Sequence, residues 1–133
     1  MALRHDKNDK IIDLRENVSK SKFLEGTGSI VFDHTSKTAF ACRSCRTHDD
    51  ILLELCKEIG YEAVIFDAKD KSGVAIYHTN VILSIGDGWA AICLDFIEQK
   101  EIVLSKLKNN GCKVFELDSQ QCCREVLNPD YYF

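Results

Sequence analysis

Two stretches of this chain set chemistry-bearing side chains inside otherwise apolar runs. One is Gly73-Val74-Ala75-Ile76-Tyr77-His78-Thr79-Asn80-Val81-Ile82-Leu83, which reads as a core strand broken by a His-Thr-Asn step. The other is Phe23-Leu24-Glu25-Gly26-Thr27-Gly28-Ser29-Ile30-Val31-Phe32, broken by Glu-Gly-Thr-Gly-Ser. An unpaired polar group in such surroundings costs roughly 1–3 kcal/mol, so the breaks call for hydrogen bonds or a use. Glu25 and His78 are the candidates for use. A carboxylate beside an imidazole is an acid–base pair, and a histidine of ordinary pKa, about 6.5, exchanges protons near neutrality. Taken singly, His78 also suits a satisfied core histidine and Glu25 a turn residue. Their pairing is what favours a site.

The other polar groups carry less. Thr27 and Ser29 read as turn hydrogen-bonders, and Gly26-Thr27-Gly28 is too short for a phosphate loop, with no Gly-Lys-Ser step after it. Cys42-Arg43-Ser44-Cys45 has metal-ligand spacing, but a single C-x-x-C without a second pair favours burial and turn use over zinc. His48 with Asp49 and Asp50 suits a helix N-terminus, where acidic groups complement the dipole. Cys122 and Cys123 have only Arg124 as a basic neighbour to activate a thiol.

The elements that position Glu25 and His78 recur. Residues 29–33 read as a strand, His34-Thr35-Ser36-Lys37 as a turn, and residues 38–42 as the return strand. Thr47 or Asp49 offers an N-cap. Apolar residues at 51, 52, 55, 56 and 59 have helical spacing, and Gly60 stops the helix. Residues 61–66 read as a further strand. The same order follows in residues 81–85, the turn Gly86-Asp87-Gly88, residues 89–94, a helix over 98–109 and a strand over 112–117. The halves align without a gap at an offset of 51, matching Ala39 with Ala90, Cys42 with Cys93, Leu53 with Leu104, Lys57 with Lys108, Gly60 with Gly111 and Asp67 with Asp118. A repeat near 50 residues suggests a propeller-like or ring-like array, which usually takes at least three repeats. Glu25 and His78 each precede the first strand of a repeat, so a ring brings them to the same end, near the axis.

The expected organisation is therefore a polar arm at 1–22, a sheet-rich α/β domain at 23–121 with repeats at about 23–70 and 74–119 and its helices outside, and a tail at 122–133 ending in Asp130-Tyr131-Tyr132-Phe133. With 133 residues the chain can bury a core as one domain. A net charge of −4 gives no basic face for nucleic acid. No apolar run approaches the ~20 residues of a membrane helix. A polar N-terminus without an apolar segment, together with seven cysteines read as reduced thiols, sets a cytoplasmic expectation. No cofactor or metal is called for.

Phe23-Leu24-Glu25-Gly26-Thr27-Gly28-Ser29, Ser44-Cys45-Arg46-Thr47-His48, Ile76-Tyr77-His78-Thr79-Asn80-Val81 and Ile92-Cys93-Leu94 together resemble the arginine deiminase-related, amidinotransferase-like proteins. That group includes citrulline-utilisation hydrolases and is similar to the dimethylargininases, within the guanidino-group-modifying superfamily. The resemblance covers roughly residues 11 to 121. It implies a partial α/β-propeller of the pentein kind, built from ββαβ units of which the full ring has five. It implies covalent chemistry in which a cysteine thiolate attacks a guanidinium or ureido carbon while a histidine shuttles protons. His78 falls on the family's catalytic histidine. Glu25 falls on the acid of the Glu-Gly motif, which pairs with that histidine or with substrate nitrogens. Asn80 falls where relatives often place an aspartate on the guanidinium; asparagine supplies an acceptor but no charge. The implied ligand is a small guanidino or ureido amino acid.

The chain also departs from the family pattern. Relatives carry the nucleophilic cysteine near a longer C-terminus in a glycine-rich context, and Cys122 and Cys123 do not match it. The family's front, with further substrate acids, is missing as well. The expectation is a fragment or divergent member whose nucleophile is absent or supplied by another chain. The alternative is a non-catalytic binding or interaction module, self-associating through exposed sheet edges.

Overall fold

A computed structural model describes residues 10–126, with side chains as far as Cys122. Residues 1–9 of the expected arm, the Cys123 side chain and the Asp130–Phe133 tail lie outside the described residues. The core is two three-stranded sheets of identical plan. In the first, β1 (Val31–Asp33) pairs antiparallel with β2 (Thr38–Cys42), and β2 pairs parallel with β3 (Glu62–Phe66). In the second, β4 (Leu83–Gly86), β5 (Trp89–Ile92) and β6 (Lys113–Glu116) repeat that order. A helix makes each parallel crossover: α2 (Asp49–Ile59), and α3 (Lys100–Asn109). The short α1 (Gly26–Ser29) precedes the first sheet and α4 (Ser119–Val126) follows the second. Both repeats are thus ββαβ units.

The parallel registers show how well the repeat is kept. Thr38 faces Glu62, and Trp89 faces Lys113, 51 residues further on for both partners. The hairpins differ. The first turns through His34–Lys37, the second through Asp87-Gly88 alone, because Gly86 already pairs with Trp89. The shorter turn slides β4 by two residues relative to β1. Val31 faces Phe40 in one hairpin, and Ser84 faces Ala91 in the other. Upstream of the hairpins the equivalent positions are therefore 53 apart, which is the separation of Glu25 and His78.

Burial explains the local sequence. β2 is the central strand of its sheet and every residue in it is buried. Ala39 and Ala41 face α2, where small side chains let Leu52 and Cys56 approach closely. Phe40 and Cys42 point the other way, joining Val64 and Phe66 in one cluster with Ile82, Ala90, Ile92, Val103 and Leu107 of the second repeat. Each Val, Ile, Leu or Phe among these stabilises by about 1.5–3 kcal/mol on full burial. The junction is also polar at both ends. The Asn110 amide donates to Asp33 and Thr38 at 3.1 Å each, and Gln99 donates to Asp67 at 2.9 Å. On the outside, the described part of the arm lies against α2, with ion pairs from Lys10 to Glu58 and from Lys22 to Asp50.

Several boundaries differ from the sequence reading. Ser29 is not in the first strand; it closes α1, and the strand begins at Val31. Gly26 has φ +49, a conformation that costs glycine little and lets the chain turn sharply after Glu25. The Gly73–Leu83 run is not a continuous strand. Thr79–Val81 form a 3-10 turn and β4 starts at Leu83, because the Thr79 side chain bonds to two neighbouring backbones. Residues 93–94 leave β5, and Leu94–Phe96 form another 3-10 turn. The N-cap of α2 is His48, not Thr47 or Asp49. α4 runs across the position at 122 where the tail was set to begin.

Candidate active site

Glu25 is the N-cap of α1, and His78 is the N-cap of the Thr79–Val81 turn. The hairpin register makes these equivalent positions of the two repeats, and the two short turns pack against each other. Their side chains meet: His78 Nε2 lies 2.6 Å from Glu25 Oε2. The other carboxylate oxygen accepts a hydrogen bond from Arg46 Nη1, also at 2.6 Å. These two bonds hold the Glu25 carboxyl below the usual carboxylate range, His78 contributing most and Arg46 next. Glu25 is therefore an ionised, acceptor-only group near neutrality, and His78 Nε2 is the nitrogen that donates. The side chains of Glu25 and His78 are 33% and 26% exposed, so the pair is reachable from solvent while shielded on one side.

That shielding has named parts. Gly28 lies under the imidazole; a Cβ there would come within 3.0 Å of three ring atoms of His78. Tyr77 packs edge-on to the ring with centroids 4.8 Å apart. Glu25 also borders an apolar cavity of about 670 Å³ walled by Phe23, Leu24, Ile30, Phe32 and Leu55. Asn80 sits exposed in the same turn, two residues beyond His78.

Of the three residues singled out by sequence, the structure brings Glu25 and His78 into contact and leaves Asn80 beside them. Sequence reasoning does not single out Arg46: it lies in an exposed turn, where a charged side chain is ordinary, and only its place in the Ser44–His48 motif could have drawn attention to it. Ser29 was read as a turn hydrogen-bonder, and it is one: its hydroxyl accepts from Glu25 N and donates to Arg46 O. Cys42 is buried at the end of β2, which raises its thiol pKa, and its Sγ bonds to Ile76 O. Cys45 is exposed in the turn that follows. Among the described residues no three His, Cys, Asp or Glu groups are placed to hold a metal ion.

Two ββαβ repeats with motif residues of this kind at their junction belong to the guanidino-group-modifying class. The family model for N,N dimethylarginine dimethylhydrolase, eukaryotic, matches residues 2–128, and the chain belongs to that family. No curated protein matches it. Among solved structures it is similar to the N-terminal domain of ArgZ, an arginine dihydrolase from the ornithine-ammonia cycle in cyanobacteria. With product bound, that domain gives a TM-score of 0.61 at 15% identity, over 74% of this chain and 36% of that one. A variant of it with substrate bound gives 0.59 at 16% identity over the same shares. A further variant, covalently bound to a reaction intermediate, gives 0.55 at 17% identity over 70% and 34%. At such identities the likeness concerns the fold. The chain spans about a third of the length of these structures. Among the described residues no helix is long and apolar enough to cross a membrane.

Proposed function

We propose that this chain supplies the proton-handling half of a hydrolase site acting on C–N bonds of arginine- or citrulline-like amino acids. The 2.6 Å contact between Glu25 and His78, made by equivalent positions of two repeats, is the observation that carries this reading. Family membership supports the substrate class. In the proposed reaction a thiolate from outside the described residues attacks the guanidinium or ureido carbon. A C–S bond forms, the C–N bond breaks, and the departing amine takes a proton from His78. Water then gives up a proton to His78 and adds to the same carbon as the C–S bond breaks. Glu25 stays ionised and steadies the imidazolium, and Asn80 accepts a hydrogen bond from the substrate. The frame is a ring of ββαβ blades of which these are two, in a cytoplasmic setting that keeps thiols such as Cys45 reduced.

The test is an NMR titration of the labelled protein with L-arginine, L-citrulline and dimethyl-L-arginine, run beside an assay for released ammonia or dimethylamine. Saturable shifts at Glu25, His78 and Asn80 that disappear in His78→Ala are expected. The absence of any saturable shift up to millimolar ligand would sink the reading.

A second reading, an interaction module, is favoured by one face of the second sheet. Trp89, Phe115 and Leu117 there are 40%, 47% and 37% exposed, whereas Val64 and Phe66, the counterparts of the last two, are 8% and 0% exposed beneath the second repeat. The proposed occupant is a second copy, seated by its first repeat as the second repeat seats here. Light scattering reads this directly, and a monomer at all concentrations would exclude it.

A further inference from the structure

A side-chain hydroxyl buried away from water must find partners, and where it finds them determines what it holds in place. Thr79 and Ser29 are both 0% exposed. The Thr79 hydroxyl donates to Ser29 O at 2.6 Å and accepts from Cys42 N at 2.9 Å. It thereby joins three pieces of chain: its own 3-10 turn, the end of α1 and the end of β2. The Ser29 hydroxyl accepts from Glu25 N at 2.8 Å and donates to Arg46 O at 2.9 Å. A continuous path therefore runs from the residue after His78, through two buried hydroxyls, to the backbone of Glu25 and of Arg46. All three side chains of the ion pair network grow from backbone that this path fixes.

We propose that Thr79 and Ser29 are positioning residues, a buried hydroxyl clamp that sets the distance between His78 and Glu25. The proposal rests on the reading of Glu25 and His78 as the working pair. Backbone geometry alone does not supply this setting, because α1 is only four residues long and the His78 turn only three. Segments so short have little internal rigidity and take their orientation from what they are bonded to. Thr79→Val keeps the shape of the side chain and removes the hydroxyl, leaving Ser29 O and Cys42 N without it. Thr79→Ser keeps the hydroxyl.

The experiment is a carbon-13 NMR titration of the Glu25 carboxyl in the full chain, with a thermal melt of each variant. The Glu25 midpoint lies below 4.5 chiefly because of its bond to His78. It is expected to climb toward 4.5 in Thr79→Val and in Ser29→Ala, and to stay at the unsubstituted protein's value in Thr79→Ser. A folded Thr79→Val with an unchanged midpoint overturns the clamp, and so does a Thr79→Ser that shifts as far as Thr79→Val. Should Thr79→Val not fold, Ser29→Ala decides, an unchanged midpoint again overturning the proposal. The readout is independent of turnover. A midpoint that moves as described in a protein that binds no guanidino or ureido amino acid would uphold the clamp and remove the function.

Discussion

Phe66 and Phe115 offer a controlled comparison of how the two repeats are joined. Both are phenylalanines in the third strand of a ββαβ unit, and both stand on the same relative face of their sheet. Phe115 is the counterpart of Val64, two residues from Phe66. Their coverage differs: Phe66 is 0% exposed and Phe115 is 47% exposed. A phenylalanine side chain is worth about 1.5–3 kcal/mol when fully covered. Phe66→Ala is therefore expected to cost about 3–5 kcal/mol, cavity included. With roughly half its area still in water, Phe115→Ala should cost about 1–2 kcal/mol. Because the substitution is the same, unfolded-state terms largely cancel in the difference of about 2 kcal/mol. At a urea m-value of ~2 kcal/mol/M this separates the midpoints by about 1 M. The assay is urea unfolding at low micromolar protein, followed by circular dichroism and by Trp89, the chain's one tryptophan, which lies on the open face. Equal costs at the lowest concentration would refute the reasoning, since sheet two would then be as well covered as sheet one. Phe66→Ala should also loosen the seat of the second repeat and so disturb the Glu25–His78 contact.

Further outcomes follow from the site. Glu25 has a folded-state pKa below its ordinary 4.5, so the stability it contributes is present above 4.5 and is lost as pH falls through the lowered value. The difference in melting temperature between the unsubstituted chain and Glu25→Gln should therefore shrink below pH 4.5; a constant difference from pH 7 to pH 3 would contradict the ion pair. His78→Ala should raise the Glu25 midpoint further than Arg46→Met does, because the imidazole bond is the larger influence; carbon-13 titration of both variants checks the order. Cys45, exposed, should react quickly with a thiol reagent, whereas Cys42, buried and with its thiol pKa raised, should react only on unfolding; peptide mapping of the labelled protein reads this.

The secondary-structure plan was legible in the sequence because the repeat announces itself through spacing. Apolar residues at 51, 52, 55 and 56 specify a helix with one buried face, and the short run of small and apolar residues through 38–42 suits a central strand covered on both faces. The offset of 51 carried over unchanged into the parallel registers. Boundaries failed where side chains, and not propensity, end an element. Nothing local to Gly73–Leu83 says that the Thr79 hydroxyl will bond to Ser29 and Cys42, so an apolar run was read as a strand. Arg46 was passed over for a similar reason: its partner Glu25 is 21 residues away.

Glu25 and His78 could be chosen from sequence because polar groups in apolar runs are costly unless they serve a purpose, and because the repeat puts both before a first strand. That they touch was decided by the tertiary structure. The hairpin turn of the second repeat is two residues shorter, which moves the equivalence upstream of the strands from 51 to 53 and sets His78 directly across from Glu25. Residue types and periodicity are local properties and can be read along the chain. A 2.6 Å contact between residues 53 apart is the sum of a turn length, a register and two buried hydroxyl bonds, and only the folded chain adds them up.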